Sequence, residues 1–350
     1  MPVEMIRASD QGVFLSAQGS VVVYEKERLV AIEAVGKAVL VCQTVQSTLV
    51  SAETLAKKDK SPVTVADFGA QAVVISELLK AFPGDKVVGE EDASQLRTPE
   101  GAAIKDNVVR HVNAVLPNQS DDQILAAIDH GTYSGGARGR HWTLDPIDGT
   151  KGFLRGDQYA IALALIENGH VVLGVLGCPN LPVDAAQPEG PRGCLFVAVK
   201  NEGAVVRTLD DPMEKPVSVT DITDVSQASF CESVEAGHSS HGHAAEIAAR
   251  LGVTNPPFRI DSQCKYAAVA RGDASIYLRL PTRADYEEKI WDHAAGWMVV
   301  TEAGGQVSDI RGEPLDFSLG RTLRDNKGVV VTNGKLHDEV IEAVRTVLHV

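Results

Sequence analysis

Two aspartates three residues apart are the strongest candidates for chemistry in this sequence. Asp145 and Asp148 belong to the motif D-P-I-D-G-T at residues 145–150, where a predicted β-strand ends and a glycine-containing turn begins. Proline fixes its own backbone and restricts the residue before it, so Pro146 can hold both carboxylates toward one cleft. Because Asp, Gly and Pro also dominate ordinary turns, a solvated turn is an equal alternative for this motif alone.

Two further acidic motifs add weight to the first. Glu90 and Glu91 follow a short strand predicted at residues 87–88, and Asp292 begins a predicted helix in W-D-H-A-A-G at residues 291–296. Taken singly, a glutamate pair is commonly exposed to solvent, and an aspartate in a first helical turn is stabilised by the helix dipole. Only the three motifs together indicate a site.

In this order, G-E-E at residues 89–91, D-P-I-D-G-T and W-D-x-A-A-G resemble the three metal-site motifs of the inositol monophosphatase-like, lithium-sensitive phosphatase superfamily. Within it, the sequence is most similar to the 3′(2′),5′-bisphosphate nucleotidases of fungi and plants. That narrower resemblance rests on K-D-K-S-P-V-T at residues 58–64, G-T-K-G-F-L-R-G at 149–156, S-V-E at 233–235, H-S-S-H at 238–241 and D-S-Q-C-K-Y at 261–266. It covers residues 24–350 and implies nothing about residues 1–23.

The resemblance implies a site for two or three Mg²⁺ ions. Glu90, Asp145 and the carbonyl of Ile147 would bind the first ion, and Asp145, Asp148 and Asp292 would bind the second. Oxygen ligands suit Mg²⁺, and two ions about 3.5 to 4 Å apart can act on both the attacking and the leaving oxygen of a phosphate ester. Four clustered carboxylates would otherwise repel phosphate, so such a site requires cations.

Asp67 has two interpretations. The pattern T-x-x-D from Thr64 to Asp67 precedes an apolar-periodic helix and matches much of a capping box, which the residues alone favour. The resemblance instead implies that Asp67 is the general base that activates water, with the hydroxyl of Thr150 as its relay. Thr64 is then a helix cap or a neighbour of the site.

The resemblance also implies a set of substrate-binding residues. They are Gly149, Thr150, His238, Ser262, Lys265, Arg279 and Asp292. Ser262, Lys265 and Arg279 match positions that bind a remaining 5′-phosphate, His238 matches one near the adenosine, and the backbone amides after Gly149 would donate to phosphate. A cation pair and a hydroxyl are sensible anion ligands, although each cation taken alone is more often a solvated surface residue.

The elements that position these residues follow from hydrophobic periodicity. Apolar residues at helical spacing predict one helix from residue 24 to about 54 and a second from 64 to 82. Residues 93–125 are weakly patterned and predict a loop with some helix. An antiparallel meander follows, with strands near residues 142–144, 159–167, 170–177 and 195–199. From about residue 226, short strands alternate with helices, which predicts an α/β domain.

Composition restricts the class of protein. The chain has 350 residues, 44% of them hydrophobic, and a formal net charge of -14 that argues against sequence-independent binding to nucleic acid. Five scattered cysteines without a C-x-x-C pair predict neither disulfides nor a zinc site, and we identify no apolar run long enough to span a bilayer. We expect a cytoplasmic monomer whose partner is a small nucleotide bisphosphate rather than nucleic acid or a membrane.

The predicted organisation has three parts. Residues 1–23 form an extension of unknown role, residues 24–225 an N-terminal α+β domain with an antiparallel sheet and most metal ligands, and residues 226–350 a C-terminal α/β domain with nucleotide-binding residues. The resemblance implies the layered αβαβα sandwich of the inositol monophosphatase and fructose-1,6-bisphosphatase type. The active site would then lie at the junction of the two domains.

The implied reaction is Mg²⁺-dependent, lithium-sensitive hydrolysis of the 3′-phosphate of adenosine 3′,5′-bisphosphate to AMP and phosphate, with 3′-phosphoadenylyl sulfate as a further substrate. An inositol polyphosphate 1-phosphatase or inositol monophosphatase is the nearest alternative, because it shares the metal motifs. Ser262, Lys265 and Arg279 distinguish the two. A weakly catalytic nucleotide sensor is a second alternative, but binding alone would not require the pair Asp67 and Thr150.

Overall fold

Two large sheets and three layers of helices form this protein. The computed structural model describes residues 7–8, 13–15, 21–48, 61–234, 241–283 and 285–350. The helices are α1 (Glu25–Thr48), α2 (Ser61–Ala81), α3 (Ala102–Val115), α4 (Asp121–Asp129), α5 (Thr150–Arg155), α6 (His241–Arg250), α7 (Cys264–Arg271), α8 (Ala294–Glu302) and α9 (His337–Leu348). Short 3₁₀ turns lie at Gln95–Arg97, Val225–Gln227 and Ile290–Asp292.

The strands form three sheets. They are β1 (Arg7–Ala8), β2 (Val13–Leu15), β3 (Val21–Val22), β4 (Lys86–Gly89), β5 (Arg140–Asp148), β6 (Ala160–Glu167), β7 (His170–Pro182), β8 (Arg192–Val199), β9 (Gly203–Thr208), β10 (Lys215–Val217), β11 (Phe230–Glu232), β12 (Phe258–Arg259), β13 (Ile276–Arg279), β14 (Gln306–Ser308) and β15 (Val329–Thr332). Strands β1 to β3 form a small antiparallel sheet of their own.

The first large sheet has the order β10-β9-β8-β7-β6-β5-β4. Its strands from β5 to β10 are antiparallel neighbours, as the predicted meander requires, whereas β4 pairs with β5 in parallel. The central strands are buried on both faces, so they are apolar almost throughout instead of alternating with polar residues. On β6, Ile161 and the two leucines face α1 and α2, while the three alanines and Ile166 face α8.

Helix α1 covers one face of this sheet together with α2. By length and composition α1 could cross a membrane, but half of its most apolar stretch is buried against the rest of the protein. Lys37 on its surface pairs with Glu33 of the same helix at 2.7 Å and with Glu77 of α2 at 2.9 Å. These contacts are those of a core helix in a layered protein.

The second large sheet has the order β12-β11-β13-β15-β14. Helices α7 and α8 pack between the two large sheets, and α6 and α9 pack on the outer face of the second. From α1 and α2 outward, the layers are therefore helix, sheet, helix, sheet, helix. This arrangement confirms the predicted αβαβα sandwich.

A glycine lets the middle helical layer approach the first sheet. A Cβ atom on Gly174 of β7 would lie 2.7 Å from the carbonyl oxygen of Ala295 in α8. Any side chain there would push α8 away from the sheet, and with it the turn Ile290–Asp292 that precedes this helix. Gly174 therefore helps to set the depth at which Asp292 enters the space between the sheets.

Two local predictions are wrong. Residues 93–125 were expected to form a loop with some helix, but most of them lie in α3, the start of α4 and a 3₁₀ turn. Helix α2 begins at Ser61 and not at Thr64, so Thr64 is its fourth residue and Asp67 its seventh. Neither residue stands at the N-cap, and the capping interpretation of Asp67 is therefore wrong.

Candidate active site

A cavity of about 460 Å³ opens where the two large sheets and α7 meet. Its wall brings together most of the residues singled out in the sequence, namely Glu90, Asp145, Ile147, Asp148, Gly149, Thr150, Ser262, Lys265, Arg279 and Asp292. Residues from all three acidic motifs therefore lie on one surface. Of the remaining candidates, His238 lies outside the described residues.

An irregularity in β5 turns both of its aspartates toward the cavity. In a regular strand, residues three apart point to opposite faces. Here Asp145 pairs with Ala162 and Asp148 with Ala160, so the register shifts by one residue between the two aspartates. The backbone N–H of Ile147 donates to Oδ1 of Asp145 at 3.1 Å. The bulge thus allows a D-x-x-D motif at a strand end to present two carboxylates to one site.

Glu90 and Asp292 reach the same cavity from different elements. Glu90 directly follows β4, which runs parallel to β5, so the two strands end at the same edge of the sheet. Asp292 ends the 3₁₀ turn before α8. The sequence thus supplies one carboxylate from β4, two from β5 and one from the helical layer between the sheets.

Burial and mutual repulsion raise the pKa values of three of these carboxylates. Burial, and after it the charges of Glu90, Asp148 and Asp292, raises the pKa of Asp145 well above its usual range. The side chain of Glu90 is open to solvent, but partial burial and the charges of Asp292 and Glu91 still raise its pKa to about 8. The pKa of Asp292 is also raised, again mainly by burial. Apart from Asp292, which Arg279 binds, these carboxylates have too little positive charge nearby to keep them all ionised.

The donor set fits a hard divalent cation. Its side-chain donors are carboxylate oxygens, which Mg²⁺ prefers, and Ile147, whose backbone carbonyl is a further candidate ligand, lines the same cavity. Two nearby groups, Glu288 and His293, also lie within 4.8 Å of Asp292. Glu288, however, is bound by Arg279 at 2.8 Å, and although burial alone would raise its pKa, Arg279 and His293 bring it down to about 2. The cluster around Asp145 is the better candidate metal centre.

Asp67 lies beside the Glu90 end of this cluster. It is half-buried on α2, and burial followed by the charges of Glu91 and Glu90 raises its pKa well above the usual range. Thr150 is exposed in the cavity wall as the first residue of α5. The roles of general base and relay implied for these two residues stay predictions.

The turn from β5 into α5 is packed tightly against the start of α7. Gly149 has a φ of 90°, which glycine adopts without strain, and a Cβ atom there would lie 2.8 Å from Cβ of Ser262. Ser262 itself has a φ of 64°, and its hydroxyl donates to the carbonyl of Asp261 at 2.6 Å. The two segments can approach this closely only because residue 149 has no side chain.

Lys265 and Arg279 bring positive charge to the same cavity. Lys265 is 5% exposed, its ammonium lies 5.2 Å from the ring centre of Tyr277, and burial lowers its pKa. Arg279 donates from Nη2 to Asp292 at 3.1 Å and from Nε to Glu288 at 2.8 Å. A substrate bound here would contact these two cations beside the carboxylate cluster.

Several lining residues were not singled out in the sequence. They are Lys151, Gly152, Leu154, Ser233, Asp261, Gln263, Tyr266, Tyr277 and Tyr286. Gln263 is hydrogen-bonded through both its backbone and its side chain. Its backbone N–H donates to Asp148 at 2.5 Å. Its side chain donates to the carbonyl of Trp291 at 2.8 Å and accepts from the N–H of Gly296 at 3.0 Å. Its position within D-S-Q-C-K-Y was the available signal.

Comparison with known proteins identifies the class to which this fold and cavity belong. The sequence model of the inositol monophosphatase family matches residues 24–349. Among solved structures, the chain is similar to an inositol monophosphatase from Anabaena (19% identity, TM-score 0.58) and to SuhB from Mycobacterium tuberculosis (20% identity, TM-score 0.58), each alignment covering 92% of this chain and 96% of the other. At that identity these structures support the fold alone. The chain belongs to the inositol monophosphatase family.

Curated relatives are closer in sequence. The chain is 49% identical to a 3′(2′),5′-bisphosphate nucleotidase from Emericella nidulans and to one from Schizosaccharomyces pombe, each alignment covering 93% of this chain and 99% and 96% of the relatives. It is 46% identical to a protein of the same name from Oryza sativa, covering 92% of this chain and 94% of the relative. The predicted family is confirmed, and the chain is a phosphatase.

Proposed function

We propose that this protein hydrolyses the 3′-phosphate of adenosine 3′,5′-bisphosphate to give AMP and phosphate, and that it also converts 3′-phosphoadenylyl sulfate to adenylyl sulfate. The observation that carries the proposal is that one cavity wall combines four carboxylates with the cations Lys265 and Arg279. A substrate with two phosphates can use the cations for one phosphate and metal ions bound by the carboxylates for the other. The names of the curated relatives support the same choice.

Mg²⁺ bound by Glu90, Asp145, Asp148, Asp292 and the Ile147 carbonyl would neutralise the carboxylates and polarise the phosphate to be cleaved. The raised pKa values of Asp145 and Glu90 support this role, because a cation is the partner that would favour their ionised forms. Li⁺ is the expected inhibitor, since it is close to Mg²⁺ in size but carries half the charge.

The protein's own residues would bind and orient the nucleotide. Lys265, Arg279 and Ser262 would hold the 5′-phosphate, and the backbone amides that follow Gly149 would donate to the phosphate that is cleaved. Asp67 would accept the proton of the attacking water, with the hydroxyl of Thr150 between them. A carboxyl group whose pKa is raised by burial accepts a proton more readily than an ordinary aspartate.

We further propose that the protein works as a monomer in the cytoplasm. All five cysteines are free and buried, which is compatible with a reducing compartment.

Product analysis tests the proposed reaction. After incubation of adenosine 3′,5′-bisphosphate with enzyme and Mg²⁺, ³¹P NMR should show inorganic phosphate and adenosine 5′-phosphate in equal amounts. Accumulation of adenosine 3′-phosphate would mean that the nucleotide binds in the opposite direction. No phosphate release would reject the proposed substrate.

A further inference from the structure

Residues 89–91 carry Glu90 into the cavity, and a buried side chain holds their backbone from one side. Gln71 of α2 is fully buried. Its Nε2 donates to the carbonyl of Glu91 at 2.6 Å and to that of Ile128 at 2.9 Å, and its Oε1 accepts from the N–H of Glu91 at 3.1 Å. One amide thus satisfies both backbone groups of the residue after Glu90.

The slot for this amide is lined by two glycines. A Cβ atom on Gly89 would lie 2.6 Å from Oε1 of Gln71, and one on Gly131 would lie 2.6 Å from its Nε2. Gln71 also follows Asp67 by four residues on α2, so both side chains project from the same face of the helix. The distance between Asp67 and Glu90 is therefore controlled by a hydrogen-bonded contact and not by apolar packing alone.

A second side chain holds residues 89–91 from the other side. Arg321 donates from Nη2 to the carbonyl of Gly89 at 2.6 Å, and from Nη1 to the carbonyls of Tyr133 at 3.0 Å and Gly131 at 3.2 Å. Its guanidinium lies over the ring of Trp291, 4.8 Å from the ring centre. Arg321 thus contacts the residue before Glu90 and the residue before Asp292.

A backbone hydrogen bond also connects Arg321 to the turn that carries Asp292. The carbonyl of Arg321 accepts from the N–H of Ile290 at 3.1 Å, at the start of the 3₁₀ turn that ends in Asp292. A shift of Arg321 would therefore move the two carboxylates relative to each other, although its side chain reaches neither. Gln71 and Arg321 both lie outside the cavity wall.

We propose that Gln71 and Arg321 are positioning residues that fix Glu90 relative to Asp67 and Asp292 and thereby hold the metal-binding carboxylates of different layers at their working separation. This inference rests on the proposed Mg²⁺ site. Groups that orient metal ligands without touching the metal typically contribute 10- to 100-fold in metal affinity or activity. Lysine does not reproduce these contacts, because its compact ammonium lacks the two separate nitrogens with which the planar guanidinium binds Gly89 and Tyr133 while it stacks on an indole.

The test compares two variants with two matched controls. Arg321→Lys keeps the positive charge but removes the planar guanidinium and its two terminal nitrogens. Gln71→Glu replaces the amide nitrogen, which donates to two carbonyls, with an oxygen that can only accept. Arg311→Lys is the control for the first, since Arg311 binds Asp309 at 2.8 Å, outside the cavity wall. Asn333→Asp is the control for the second, because Asn333 is a buried amide that donates to the carbonyl of Ile222 at 2.8 Å.

Isothermal titration of substrate-free enzyme with MgCl₂ gives the main readout, and melting temperatures of all variants give the stability reference. We expect Arg321→Lys and Gln71→Glu to bind Mg²⁺ about 10-fold or more weakly, and the controls to bind it as the wild type does even where they melt earlier. If Gln71→Glu does not fold, Gln71→Met, which keeps the length and removes the hydrogen bonds, takes its place.

Wild-type Mg²⁺ affinity in both site variants would overturn the proposal, as would equal weakening in the controls. Because the titration contains no nucleotide, it separates this inference from the proposed reaction. A wild-type enzyme that binds Mg²⁺ but does not hydrolyse adenosine 3′,5′-bisphosphate would refute the reaction alone. A wild-type enzyme that binds no Mg²⁺ would refute the positioning role.

Discussion

Replacing Lys265 with methionine should separate substrate recognition from stability. The lysine is 5% exposed, and burial lowers the pKa of its ammonium because the charged form has lost water. Methionine has a similar length and no charge, so it fills the same space beside Tyr277. Arg279 is a poorer choice for this test, since its removal would leave Glu288 and Asp292 without their bound cation.

Lys265→Met should lower the activity on the bisphosphate without lowering the stability of the fold. A hydrogen bond from a charged group contributes about 1.5 to 3 kcal/mol, which corresponds to a loss of about 10- to 150-fold in kcat/KM on adenosine 3′,5′-bisphosphate. Because the pKa of Lys265 is lower in the folded state than in the unfolded state, protonation of this lysine favours the unfolded state at pH values below the unfolded-state pKa of about 10.4. Lys265→Met should therefore melt at the wild-type temperature or above it at neutral pH.

Two assays on one preparation check this prediction. Initial rates of phosphate release are measured with adenosine 3′,5′-bisphosphate and with 3′-AMP, which lacks the 5′-phosphate, and the melting temperature is recorded by circular dichroism. The loss of kcat/KM should be confined to the bisphosphate. Equal losses on both substrates, accompanied by a lower melting temperature, would make Lys265 a structural residue and refute the assignment.

Three other predictions address the chemistry. Asp145→Asn should abolish both turnover and calorimetric Mg²⁺ binding, and near-normal activity at ordinary Mg²⁺ would contradict its role as a shared ligand. Asp67→Asn should lower kcat by about 10²- to 10⁴-fold without lowering the melting temperature, since it removes a carboxyl group that burial makes costly to ionise, whereas normal kcat with earlier melting would make Asp67 purely structural. LiCl should inhibit where equal KCl does not, in a manner that excess nucleotide does not relieve, and identical LiCl and KCl curves would remove the protein from the lithium-sensitive group.

The D-P-I-D-G-T motif indicated the candidate site but not the backbone irregularity that forms it. The residue types and their place at a strand end suggested that both aspartates face one cleft. In a regular strand that spacing would separate Asp145 from Asp148, and the shift in pairing with β6 that reunites them depends on tertiary contacts. The spacing of the motif does not reveal the bulge.

The extent of helices α3 and α4 was underestimated for a different reason. Helix α3 buries only Val108 and Val112 fully, so its apolar stripe is too thin to stand out from a polar loop. Helix α4 did carry a signal, because Ser120 and Gln123 form a capping box at its start. The parallel pairing of β4 with β5 was also beyond prediction, because about fifty residues separate these strands.

Nothing in the sequence indicated that Gln71 and Arg321 lie beside the site. Gln71 is a polar residue within an apolar helix, and Arg321 lies in a segment between β14 and β15 with no motif around it. Their partners are backbone carbonyls far away in the chain, which have no side-chain identity to recognise. The candidate metal and substrate ligands follow motifs, whereas the residues proposed to position them can be recognised only in the packed structure.

Substrate choice tests the central claim most directly. Phosphate release is measured in the same buffer with Mg²⁺ from adenosine 3′,5′-bisphosphate, inositol 1,4-bisphosphate and fructose 1,6-bisphosphate. We predict that kcat/KM is highest for the nucleotide and that all activity disappears when EDTA removes Mg²⁺. A higher kcat/KM for inositol 1,4-bisphosphate, or full activity in EDTA, would contradict the assignment of Lys265 and Arg279 to a nucleotide 5′-phosphate and of the carboxylate cluster to Mg²⁺.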